Sequence, residues 1–174
     1  MKYFTRGWVN GELDDDASEA VVVAYRRRLE AIMPSLPESV RRLAREVSLH
    51  DALVEQVRWR PHDRTLTLVF VVTCGPGAPG TARVVYEGAL LGERRLDALR
   101  SVARDRDAVL LYDEVDLGED GGLVHRLLFW PREEVTVDCR VVHVELAPRG
   151  DCRVELSPGF LIEDPESLRG GTNR

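Results

Sequence analysis

Apolar positions recur at helical spacing in the first third of the chain and alternate with polar ones after it. Val22, Tyr25, Leu29, Ile32 and Met33 fall on one face of a helix that ends near Ile32, with Arg26, Arg27 and Glu30 on the opposite, solvated face. Asp16 followed by Glu19 reads as a capping box for its start, and the acidic run Asp14 to Asp16 suits the positive end of the helix dipole. Pro34 and Pro37 break the pattern, and Pro37 sits well as the first residue of a second helix whose face is Val40, Leu43, Ala44 and Val47. The two form a helical hairpin. Ahead of it, Tyr3, Phe4 and Trp8 make an aromatic cluster expected to pack back onto the core.

From Leu53 the period changes to two. LVEQVRWR and TLTLVFVVT flank the turn Pro61-His62-Asp63-Arg64, and the second of these strands is apolar on both faces around Val69 to Val72. That suits a central strand covered on both sides, or on one side with a partner molecule. Cys74 to Gly80 reads as a wide turn, because it has neither a dinucleotide fingerprint nor the Lys-Ser/Thr ending of a phosphate loop. ARVVYEGALL predicts a third strand, and Glu93 to Arg104 a short helix with Leu96 and Leu99 inward. A hairpin follows from Ala108 to Trp130, reversing at Gly118-Glu119-Asp120-Gly121-Gly122. VTVDCRVVHVELAP predicts one strand with Val135, Val137, Cys139, Val141 and His143 on one face, and RVELSPGFLIED a final edge strand. The sum is an α+β protein: an N-terminal helical hairpin packed on one face of an antiparallel meander sheet of about six strands. Residues 1–164 read as one domain and residues 165–174 as a flexible polar tail.

The hairpin from Ala108 to Trp130 carries the densest set of ionisable side chains. Asp113 interrupts an apolar row of its first strand and His125 one of its second. If the turn sets the register, Glu114 faces Arg126 across the strands, and Asp113 lies diagonal to His125. A carboxylate and an imidazole on one apolar face are first read as hydrogen-bonded core groups and second as a site. Glu114 with Arg126 reads as a solvated cross-strand ion pair of about 0.2 to 1 kcal/mol. Upstream, His50 and Asp51 sit where helical spacing gives way to alternation. There a His-Asp pair can cap or turn the chain, or serve as base and orienter or metal ligands. His50, Asp51, Tyr112, Asp113, Glu114 and His125 are the candidate cluster, and Asp116, Glu119 and Asp120 extend it into a candidate acidic binding surface.

Composition narrows the partners. The chain has 174 residues, 24 basic against 30 acidic, for a net charge of −6. That disfavours nucleic acid and anionic membrane surfaces and favours a basic protein partner. Cys74, Cys139 and Cys152 match neither a metal knuckle nor an even disulfide framework. No cofactor motif and no metal-ligand spacing is present, the opening residues lack the apolar core of a secretion signal, and a cytoplasmic protein is the expectation.

Met1-Lys2-Tyr3-Phe4-Thr5 with Trp8, Leu49-His50-Asp51-Ala52, Tyr112-Asp113-Glu114 and His125-Arg126-Leu127-Leu128-Phe129 resemble an uncharacterised bacterial family with an aromatic start, an LHDA-like junction and a YDE...H.ILF hairpin. The resemblance implies a small bacterial protein of unknown function and supplies no catalytic residues. The build is also similar, more loosely, to immunity proteins of bacterial toxin systems. Three functions of different class follow. The first is a non-enzymatic immunity or accessory protein that meets a basic partner with its acidic surface. The second is a metal-assisted hydrolase in which His50, Asp51, Asp113 and His125 converge. The third is a homodimer that covers the two-sided strand Thr65 to Thr73.

Overall fold

Thr5 caps a four-residue helix, α1 (Arg6–Val9), by accepting the Trp8 amide, and the acidic run that follows starts a longer one, α2 (Asp15–Ile32). The cap of α2 is Asp14, whose carboxylate accepts the Ala17 amide, two residues earlier than the capping-box pattern places it. A 3-10 turn at Met33–Ser35 leads past Pro37 into α3 (Glu38–Glu46), so both helices form where the spacing predicts them. The computed structural model describes residues 1–74 and 78–148. Residues 75–77 of the predicted wide turn, the predicted edge strand RVELSPGFLIED, Cys152 and the tail 165–174 lie outside the described residues.

Among the described residues seven strands follow, with a helix between the third and fourth: β1 (Ala52–Arg60), β2 (Thr65–Cys74), β3 (Ala78–Glu87), α4 (Glu93–Arg104), β4 (Val109–Leu117), β5 (Leu123–Phe129), β6 (Glu134–Cys139) and β7 (Val141–Pro148). All pair antiparallel, in the order β6-β5-β4-β1-β2-β3-β7. The α+β class and the N-terminal helices are as the sequence predicts. The strand count is one higher, and the order is two three-strand meanders joined through β1 and β4 with β7 added beside β3.

The predicted strand Val135 to Pro148 is two strands broken at Arg140. Val135, Val137 and Cys139 are buried, but beyond Arg140 the alternation inverts: Val142 is buried while Val141 and His143 are exposed. The break has a large consequence. β6 and β7 are the two ends of the sheet order, yet Arg140 alone joins them. One residue spans at most about 3.6 Å, so the sheet must curl until its edges meet. The Arg140 amide donates to the Glu87 carbonyl at 3.0 Å and Leu90 bridges to Asp138, which seals that corner. At the other corner β1 and β4 overlap only through Ala52 with Leu110 and Leu53 with Val109.

The curled sheet encloses one continuous core. Its inward rows include Leu66, Leu68 and Phe70 of β2, Val84 and Tyr86 of β3, Leu127 and Phe129 of β5, and Val135 and Val137 of β6, all buried. α3 packs against β7 with Val40 and Leu43 buried, α4 against β1 and β6 with Leu96, Leu99 and Val102 buried, and α2 against β4. The Ser39 hydroxyl donates to the Val142 carbonyl, which ties the start of α3 to the edge of β7. On the outward side of β2, Thr65 and Thr67 are buried, and Val69 and Val71 are partly covered.

Candidate functional site

Closure of the sheet makes the first site. Tyr86 on β3 and His125 on β5 are separated in the sheet order by β4, β1 and β2, yet the Tyr86 hydroxyl lies 2.8 Å from His125 Nδ1. The contact therefore crosses the interior. On its other side, His125 Nε2 lies 3.0 Å from Asp113 Oδ2. The register explains that bond: Val115 faces His125 and Asp113 faces Leu127, so Asp113 is diagonal to His125, as the hairpin turn predicts. Each ring nitrogen of His125 thus has a hydrogen-bond partner, the Tyr86 hydroxyl at Nδ1 and the Asp113 carboxylate at Nε2. Tyr86 is fully buried, and that burial, with lesser contributions from Cys139 and Asp113, raises its phenol well above the ordinary value. Cys139 lies in the same interior, and burial pushes its thiol up to about 12, the opposite of what a nucleophile needs.

Glu114 is on the other face, and here the solvated-pair expectation is corrected. It does face Arg126 in register, 3.6 Å away, but it is 0% exposed. Its carboxylate accepts the amides of three consecutive residues, Lys2 at 2.9 Å, Tyr3 at 2.7 Å and Phe4 at 2.8 Å. The chain start thus lies across β4 as a latch. Phe4 fills the space beneath, against Trp8, Tyr25 and Tyr112 with ring centroids 5.0 to 5.2 Å apart, so the aromatic cluster packs onto the core as expected. Tyr25 of α2 also accepts the amide of Val115 at 2.9 Å, and its burial, reinforced by Asp113, raises its phenol.

Asp116 departs from the predicted acidic surface in the same way. It is 3% exposed, 2.8 Å from the Arg28 guanidinium, 3.4 Å from Arg126 and 3.7 Å from Lys2. Helix α2 and the latch cover it, so Asp116 and Glu114 face no partner. Burial alone would raise the Asp116 carboxyl. The Arg28 hydrogen bond, the Leu117 amide and the charges of Arg28 and Lys2 outweigh it and hold the group below its ordinary value. A depressed folded value makes the stabilisation complete above the ordinary carboxylate range and lost as pH falls through the lowered value. We expect the stability difference between wild type and Asp116→Asn to be constant near neutrality and to shrink in acid below about pH 4. Unfolding curves of both proteins over that range check it; a difference that grows in acid would refute the assignment.

His50 and Asp51 stand together on the surface. Asp51 holds a left-handed backbone, φ 60°, with its amide on the Leu110 carbonyl at 2.8 Å. His50 Nδ1 is 2.5 Å from the Leu111 carbonyl, its Nε2 is 3.5 Å from Asp51, and its ring rests on Tyr112. This pair pins the start of β1 to β4, the turn duty the sequence allows. His50 thus pairs with Asp51, and His125 with Asp113. Among the described residues no three His, Cys, Asp or Glu side chains are placed to hold a metal ion, and both ring nitrogens of His125 are engaged. The four-residue convergence that the metal-assisted reading requires is not found there.

Glu119 and Asp120 do remain exposed, in the β4–β5 turn. They line an open groove of about 630 Å³ at the turn end of the sheet. Its other walls carry His62, Asp63 and Arg64 from the β1–β2 turn, Leu90, Asp138 and Arg140, so carboxylates outnumber guanidinium groups along it. Leu90 is 55% exposed. Sequence reading missed Leu90, Arg64 and Arg140 here, and Tyr86 and Arg28 in the buried sites. Only Tyr86 carried a signal, because a tyrosine on an inward row needs a partner for its hydroxyl.

Fold and sites together define a small α+β protein with a curled antiparallel sheet, in which, among the described residues, every buried side-chain nitrogen and oxygen has a hydrogen-bond partner. Residues 2–139 match the model of a protein family of unknown function, DUF4085, and the chain belongs to that family. No curated protein and no solved structure matches the chain. No helix among the described residues is long and apolar enough to cross a membrane.

Proposed function

We propose that this chain is a non-enzymatic protein-binding protein, of the immunity or accessory kind, that meets a basic partner at the turn-end groove. The observation that supports it is the pairing, in one groove, of exposed Leu90 with the exposed carboxylates of Glu119 and Asp120. An apolar centre with a charged rim is how protein interfaces are built, and the acidic rim selects a basic partner and speeds its encounter. The buried carboxylates and His125 are occupied in holding latch, helix and strands together, whereas Glu119 and Asp120 in the groove are exposed to a partner.

The test is native mass spectrometry of the protein isolated at its natural level from its own host, beside a Glu119→Lys/Asp120→Lys variant. The expected result is a stoichiometric basic partner whose recovery falls at least about tenfold in the variant, since opposed like charges cost several kcal/mol at an interface. A partner retained equally by the variant, a second copy of this chain in its place, or a bare monomer would each overturn the proposal.

A further inference from the structure

Strand β5 ends at Phe129, and the next residue leaves its ring in water. Trp130 is 51% exposed, the one aromatic among the large apolar side chains exposed in the described residues. The turn that carries it is nonetheless fixed. The Trp130 amide donates to the Val109 carbonyl at 2.8 Å and the Phe129 amide to the Glu133 carbonyl at 2.8 Å. From beneath, the Arg6 guanidinium donates to the carbonyls of Pro131 at 2.9 Å and Phe129 at 3.0 Å. A turn held this way loses little backbone freedom on binding.

Beside it runs an open groove of about 340 Å³, with Val102, Ala108 and Pro131 as its apolar floor. Asp105 and Glu133 line it, and Arg132 is the single cation that does. Helix α4 also ends here, with Asp105 as its C-cap donating its amide to the Ser101 and Val102 carbonyls. The negative pole of a helix, two carboxylates and the electron-rich face of an indole all favour a positive charge. The volume is at the small end for ligand sites and suits one long side chain.

We propose that this groove binds a basic peptide segment, seating an arginine or lysine side chain over the Trp130 indole. The site lies at the opposite end of β5 from the Glu119–Asp120 turn and does not depend on it. The test is an NMR titration of the full chain with the capped peptide Gly-Arg-Gly and with its citrulline isostere, which is neutral and nearly the same shape. The Trp130 indole signal is identified by its loss in Trp130→Phe. The expected result is a saturable shift of that signal with the Trp8 and Trp59 indoles unmoved. Binding should be several-fold weaker for citrulline and for Asp105→Asn, several-fold tighter for Arg132→Gln, and unchanged in Glu119→Lys/Asp120→Lys. No saturable shift at Trp130, or equal binding of the citrulline peptide, would overturn it.

Discussion

Replacing Glu114 with alanine is expected to destabilise the protein by about 3 to 5 kcal/mol, the range for removing one partner of a buried charge pair. Two consequences combine. The amides of Lys2, Tyr3 and Phe4 lose their acceptor in a water-poor site, and Arg126 keeps only Asp116 at 3.4 Å. Phe4 is 1% exposed and is seated by that latch, so its burial weakens with the carboxylate. Glu114→Gln should fall between the two, because one amide oxygen still accepts while the new NH₂ opposes the Lys2 amide and Arg126. Denaturant unfolding gives the magnitude, and hydrogen exchange at residues 2 to 4 gives the location. A loss below about 1 kcal/mol, with those amides still protected, would show that the latch does not depend on Glu114.

The second large effect is expected at His125. His125→Ala should cost about 3 kcal/mol, combining a cavity in the closed sheet with a buried Tyr86 hydroxyl that has lost its partner. Tyr86→Phe deletes only the hydroxyl and should cost about 1 to 2 kcal/mol. The double variant should cost less than the sum, because once the imidazole is gone the hydroxyl has nothing to bond. Additive losses would mean that the 2.8 Å contact across the interior contributes nothing.

The hairpin from Ala108 to Trp130 shows how far one sequence can be read. Its strands alternate cleanly and its glycine turn fixes the register, so the facing of Glu114 with Arg126 and the diagonal of Asp113 to His125 follow from counting. Counting could not show what covers each face. A glutamate opposite an arginine looks solvated until a segment about 110 residues away arrives to bond it. The corner at Arg140 was hidden for a different reason. Val141 and Val142 stand side by side, so a valine follows the corner in either phase, and the inversion shows only in His143 and Glu145 on the row that had been apolar. With that corner unseen, so were the closure of the sheet and the meeting of Tyr86 with His125.

The latch has a consequence for how the chain can vary. Glu114 grips main-chain amides, which every residue except proline supplies in the same form. The side chains at positions 2 and 3 can therefore drift with little effect on the grip, while proline at position 2, 3 or 4 would remove one of its bonds outright. Glu114 itself has no such latitude: aspartate is one methylene too short to reach all three amides from the same backbone position. A motif read from side chains alone would assign importance to Lys2 and Tyr3, where the physical constraint falls on their peptide bonds and on a carboxylate far along the chain.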